Sequence, residues 1–162
     1  MKLKTLAAAS VVALTALSSH AASTDWGSHD AFELGGSTVS GAVFDTYSFS
    51  LGVSSMLTSS VIANPGSFLG AAYTLYSAGA DHMIGGGDDS LVGAWGLNTV
   101  NTVTVGSGNY YDSVRGGAPS AATYAIRSLA SAAHVPEPES YALLGAGLGV
   151  VGFLASRRRR DS

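Results

Sequence analysis

The run Tyr141-Ala-Leu-Leu-Gly-Ala-Gly-Leu-Gly-Val-Val-Gly-Phe-Leu-Ala-Ser156 carries no charge and is followed at once by Arg157, Arg158, Arg159 and Arg160. As a helix rising about 1.5 Å per residue, its roughly 16 residues span about 24 Å. That is short of a hydrocarbon core of about 30 Å, a mismatch that local thinning and snorkelling arginines accommodate at modest cost. The arginine cluster resists transfer across lipid and stays cytoplasmic by the positive-inside rule. The spacing predicts a transmembrane helix over 141–156, with Arg157, Arg158, Arg159 and Arg160 stopping transfer and the preceding domain outside. A buried core helix is the other fold open to these residues, but it suits four terminal arginines poorly.

Immediately upstream stands Val135-Pro136-Glu137-Pro138-Glu139-Ser140. Pro136 and Pro138 force Val135 and Glu137 towards extended geometry, which presents a strand-like segment just outside the bilayer. Extended backbone is what proteases bind, so the motif favours a processed tail over a permanent anchor. An acidic Pro-bearing motif, an apolar segment and an arginine cluster in this order resemble the PEP-CTERM sorting signal of exopolysaccharide-producing bacteria. The resemblance covers residues 135–162. It implies that an exosortase, a membrane-embedded transpeptidase, cuts near Val135, Pro136, Glu137 and Pro138, and that the inner membrane holds the chain only transiently.

The N terminus reads as a secretory leader. Met1-Lys2-Leu3-Lys4 is a basic opening, Thr5 to Leu17 is apolar but too short for a stable span, and Ser19-His20-Ala21 sets small residues at Ser19 and Ala21 where a signal peptidase reads. Cleavage is expected after Ala21. The domain order is then a signal peptide over 1–21, one folded domain over 22–134 and the sorting signal over 135–162.

Without its two ends the chain keeps Arg115 and Arg127 against Asp25, Asp30, Glu33, Asp45, Asp81, Asp88, Asp89 and Asp112. So acidic a segment is a poor partner for nucleic acid or an anionic membrane, both of which need clustered cations. It has no cysteine, so the fold uses no disulfide although the compartment permits them.

The folded segment alternates β-branched and aromatic residues with small polar ones, punctuated by Gly, Asn and Asp. Gly41 to Leu51 is the clearest strand, with Val43, Asp45, Tyr47, Phe49 and Leu51 on one face and Thr46, Ser48 and Ser50 on the other. Further strands are expected over 56–63, 71–76, 90–95, 99–105, 109–115 and 121–129, with Gly116-Gly-Ala-Pro119 among the intervening turns. The expected fold is all-β: an antiparallel two-layer β-sandwich, jelly-roll-like, flanked by a signal helix and a transmembrane helix. Gly41-Ala-Val-Phe-Asp45-Thr-Tyr47-Ser-Phe49 resembles the strand of FxDxF-type PEP-CTERM proteins and of pre-peptidase C-terminal β-sandwich domains, with Val43 in the place of the leading Phe. Ala72-Tyr-Thr-Leu-Tyr-Ser77 and Val105-Gly-Ser-Gly-Asn-Tyr-Tyr111 are similar to later strands of that template. The resemblance implies a non-catalytic module.

Asp45, in line with Tyr47 and Phe49, either lies at a rim or is hydrogen-bonded inside; accepting backbone N–H groups is favoured over ligating a metal. Asp81, His82, Asp88 and Asp89 around Gly85-Gly-Gly87 are the best Ca²⁺ candidates, weakened by the absence of EF-hand spacing and of any repeat. A solvated turn is the competing reading, and no cofactor is assigned. No His-Glu-x-x-His, Gly-x-Ser-x-Gly, P-loop or dinucleotide motif is present. His29 beside Asp30 imitates two members of a triad without relay geometry. Trp26, Trp95, Tyr110 and Tyr111 serve either core packing or, if exposed, stacking on sugars. The sequence therefore points to an exported, non-enzymatic surface or extracellular-matrix protein of an exopolysaccharide biofilm, with a carbohydrate-binding module as the alternative.

Overall fold

A period-2 pattern survives as a strand wherever one face finds a core, as over Phe32–Leu51 and Gly108–Ala132, and the described residues form eight strands in all. The computed structural model describes residues 19–133 and 142–151. The strands are β1 (Ser19–His20), β2 (Ser23–Ser28), β3 (Phe32–Leu51), β4 (Ser55–Ala63), β5 (Leu69–Ser77), β6 (Ser90–Gly96), β7 (Asn101–Val105) and β8 (Gly108–Ala132). All belong to one sheet. Segments 1–18, 134–141 and 152–162 lie outside the described residues, so the signal helix is not among them.

β3 and β8 are the spine. They pair antiparallel from Phe32↔Leu129 to Leu51↔Gly108. β4 adds to the C-terminal half of β8 and carries β7 on its other edge, whereas β5 adds to the N-terminal half and carries β6. β1 and β2 run parallel to β3. The expected two separate layers are thus one continuous, mostly antiparallel sheet, because two long strands pass through both of its halves.

That sheet curls. Asp112 and Tyr124 stand twelve residues apart on β8, about 40 Å along a straight strand at roughly 3.3 Å per residue. Yet Tyr47, paired with Asp112, meets the Tyr124 hydroxyl at 2.8 Å. The bend falls where the register shifts between Val39↔Ala122 and Gly41↔Ala118. Gly41, at φ 80°, takes a backbone conformation that favours glycine. Pro119 falls in the unmatched stretch of β8, where its missing N–H costs the ladder nothing. Gly116-Gly-Ala-Pro119, expected as a turn, therefore stays inside a strand, with Gly116, Gly117 and Ala118 in register with β3 and Pro119 at the bulge. Gly116 also lets β5 approach: a Cβ there would lie 2.7 Å from that of Ala71.

The concave face holds two apolar clusters. Val39, Val43, Tyr47, Val61, Tyr73, Val114, Tyr124 and Ile126 form one; Phe49, Leu51, Leu57, Leu75, Val105 and Tyr110 form the other. Trp26 and Trp95 pack half-buried against both. At the seam sits Asp112, between Tyr110 and Val114 on β8 and in register with Tyr47 and Leu75. It is fully buried, and neither carboxyl oxygen has a partner among the described residues. Burial pushes its carboxyl up to about 7.

Separate from this unit, residues 142–151 form a helix, α1. Leu143, Leu144, Leu148, Val150 and Val151 are all exposed on it.

A buried carboxyl raised from its ordinary value of 3.8 to about 7 destabilises the fold once it is ionised. That penalty is absent below about pH 4, so stability falls as pH rises from there through about 7 and then levels off. Asp112→Asn should abolish this fall. In urea unfolding between pH 4 and 8, the variant should gain on the parent by a few kcal/mol, at about 1.4 kcal/mol for each tenfold change in the acid constant. Parallel pH profiles would mean that Asp112 is not desolvated as described.

Candidate functional site

The residues expected to mark signal cleavage lie at the edge of the sheet. Ser19 pairs with Ala42 in β1, and Ala21 is exposed between β1 and β2. At the other end, Val135, Pro136, Glu137, Pro138 and Arg157, Arg158, Arg159 and Arg160 fall outside the described residues. The transmembrane helix expected over 141–156 is described only as α1. Among the described residues no helix is long and apolar enough to cross a membrane. Within 142–151 no side chain is charged, and the helix is apolar all round, a pattern that suits lipid or a protein interior.

Asp45 resolves into the second of its two expected settings. It is completely buried, and its Oδ1 accepts the Ala22 backbone N–H at 2.8 Å and faces His20 Nδ1 at 2.8 Å. Oδ2 accepts the Tyr124 hydroxyl at 2.5 Å. Tyr124 has one proton to give and directs it to the carboxylate, so the Tyr47 hydroxyl must donate to Tyr124. Burial first, and then the Asp45 carboxylate, push the Tyr124 hydroxyl well above its ordinary range. Charge-assisted bonds of this kind are the strong ones, which fits a structural anchor. Reading β3 alone gives no hint of Tyr124, 79 residues away.

Asp81, Asp88 and Asp89 do come together, with one ligand atom from each lying within 4.8 Å of the others. The turn's own backbone already engages them. Asp88 Oδ2 accepts from Ala80 N–H at 2.6 Å and Asp81 N–H at 3.3 Å, Asp81 Oδ1 from Met83 N–H at 2.9 Å, and Asp89 Oδ2 from Gly85 N–H at 2.7 Å. The Ala80 bond holds the Asp88 carboxyl below the usual range. Tyr111 ties the turn to the sheet, its hydroxyl donating to Asp89 Oδ2 at 2.7 Å. Burial and that acceptor push the Tyr111 hydroxyl up to about 12. His82 leaves the group, its Nδ1 accepting from Asn109 Nδ2 at 2.7 Å. Three hard oxygen donors suit Ca²⁺ in type, but each also caps local N–H groups, as acidic turns do without metal.

No triad forms around His29. Its Nδ1 faces the backbone oxygen of Asp30 rather than the carboxylate, and its Nε2 meets Ser128 Oγ at 2.8 Å. Ser128, which no sequence signal singled out, is fully buried on β8 and out of reach of a substrate. Tyr110 and Tyr111 are buried as well, so the four candidate sugar-stacking rings pack mainly within the protein. A polar groove of about 320 Å³ remains, lined by Asp25, Ser48, His82 and Asn109 among others. Asp25 in it is held below the usual range by Gly27 N–H and the Ser48 hydroxyl.

Comparison with known proteins bears on both the tail and the folded domain. Residues 134–160 match the PEP-CTERM protein-sorting motif. The chain carries that motif at its C terminus, and the motif implies an exported protein processed by an exosortase. No curated protein matches the chain. Among solved structures, PliG of Aeromonas hydrophila, a periplasmic inhibitor of g-type lysozyme, is similar at 12% identity and a TM-score of 0.50, over 69% of this chain and 100% of that one. The pre-peptidase C-terminal domain of a Bacillus anthracis collagenase aligns at 15% identity and a TM-score of 0.47, over 65% of this chain and 93% of that one. The likeness to the lysozyme inhibitor is one of fold.

If the acidic turn is held by its own backbone and by Tyr111, Asp89→Ala should cost about 1.5–3 kcal/mol in urea unfolding, whether calcium or a chelator is present. A loss confined to calcium-containing buffer would instead make the turn a cation site.

Proposed function

We propose that this chain is a non-catalytic exported protein, held first in the inner membrane with its β domain in the periplasm. Signal peptidase removes residues 1–21, an exosortase acts near Val135-Pro136-Glu137-Pro138, and the β domain reaches the cell surface or extracellular matrix. There it serves as a structural or interaction component of an exopolysaccharide biofilm. The observation that carries this reading is the sorting motif over residues 134–160. The uncharged, apolar sequence of α1 supports it, since such a helix suits lipid or a protein interior.

A non-catalytic role is supported by how the domain uses its polar residues. Asp45 is bound by Tyr124 and Ala22, His29 by buried Ser128, and the acidic turn by its own N–H groups. These groups are occupied with holding the fold together. The carbohydrate-binding alternative draws its support from the polar groove at Asp25, Ser48, His82 and Asn109, whose donors and acceptors suit sugar hydroxyls. Retardation of the processed protein in affinity gels cast with the host's own polysaccharide would favour it.

Replacing Pro136 and Pro138 by Ala removes the two residues on which the expected extended geometry of the motif rests. The double variant should remain in the membrane fraction with residues 135–162 attached, while the parent loses them, as read by intact mass. Equal trimming of both proteins would contradict the role given to the motif.

A further inference from the structure

In the unprocessed chain the carboxylate of Asp45 faces a histidine that belongs to the leader. His20 sits at 2.8 Å and is the one cationic candidate in contact with Asp45 among the described residues. The other two groups at this carboxylate are the Tyr124 hydroxyl and the Ala22 backbone N–H. Cleavage after Ala21, on which this inference rests, removes His20. It also turns the Ala22 N–H into an α-ammonium group, and that nitrogen already lies 2.8 Å from Asp45 Oδ1.

Ala22 is held from its C-terminal side. Its carbonyl accepts the Thr46 N–H at 2.8 Å, and Ser23, Thr24 and Asp25 continue in register with Thr46, Tyr47 and Ser48. None of these contacts uses residues 1–21, so the new terminus has no reason to leave. Arg115 lies over the Phe44 ring with its Nε on Ser113, and Arg127 Nε donates to Ser60. Neither competes for Asp45. A buried carboxylate without a counter-charge is costly, and an ammonium with its nitrogen at hydrogen-bond distance supplies one.

We propose that Asp45 is the receptor for the N-terminal ammonium of Ala22, so that removal of the leader exchanges a His20 contact for an internal ion pair that locks β2 onto β3. The groups facing the pair after processing are Tyr124 from β8 and, through Tyr124, Tyr47 from β3; both are neutral donors. The exchange makes the mature domain depend on the position of the cut: a terminus one or two residues away cannot put its charge on Asp45.

The test uses the processed protein purified from cells that export it, in detergent if the tail is retained. Its N terminus is read by intact mass, and its α-amine is labelled at pH 7.5 with an amine-selective reagent. The mature domain has no lysine, so the label reports Ala22 alone. Labelling of folded protein should be at least about tenfold slower than in urea, as expected when the carboxylate holds the amine protonated. Asp45→Asn should restore the rate. Because that variant also disturbs Tyr124, a second one inserts two serines between Ala21 and Ala22 and leaves Asp45 intact; its amine should label at the unfolded rate.

Equal labelling of folded and unfolded parent, or protection that persists in the insertion variant, would overturn the proposal. So would a mature terminus other than Ala22. A chain that begins at Ala22 with a protected amine yet keeps residues 135–162 would support this proposal while defeating the sorting reading.

Discussion

A buried carboxylate, Asp45, ties the two halves of the curled sheet together, beside the Tyr73 hydroxyl on the Ser59 carbonyl. β3 and β8 are long enough to form a flat ribbon, and a flat ribbon would leave both apolar clusters in water. Curling brings Tyr124 from the far half of β8 over the near half of β3, and the contact that receives it is Asp45. Buried, the carboxylate gains from every donor aimed at it and would be costly without them. Tyr124 serves the bonding network through its hydroxyl and the apolar cluster through its ring, so hydrogen bonding and packing point to the same bend.

Other titratable side chains in the domain are used in the same way. Asp89 pins the acidic turn through Tyr111, Asp25 closes a turn at Gly27, and His29 reaches buried Ser128. Asp112 is the exception, buried at the seam between the clusters with no protein partner among the described residues. Its destabilising charge sets a pH preference. The commitment of these polar groups to the domain's own architecture is the observation on which the proposed non-catalytic role draws.

The sorting motif is the most legible part of the sequence, because its parts follow one another in a single stretch, residues 134–160, and can be read without any tertiary partner. The strand from Gly41 to Leu51 is legible for the same reason, its two faces differing residue by residue, and β4, β5 and β6 fall within a residue or two of expectation. What local reading misses are features set by distant pairing. Ser23-Thr-Asp-Trp-Gly-Ser28 has no clean alternation and becomes a strand only because β3 offers an edge in parallel. Gly116-Gly-Ala-Pro119 has the composition of a turn but stays within β8, since β3 and β5 flank the residues around it and the proline falls at the bulge. For Asp45 the pattern of β3 allows either rim or interior, and its decisive partner, Tyr124, carries no local mark. The acidic residues of the turn are near one another in sequence, but their engagement by the turn's own backbone depends on loop geometry that composition does not encode.

If Asp45 and Tyr124 act as one unit across the bend, their contributions to stability cannot be independent. A double-mutant cycle on urea unfolding, with Asp45→Asn, Tyr124→Phe and the two combined, measures this directly. The coupling should be about 1.5–3 kcal/mol, the range for a hydrogen bond to a charged group. Losses that add to within about 0.5 kcal/mol would show two independent residues and leave the bend without its clasp.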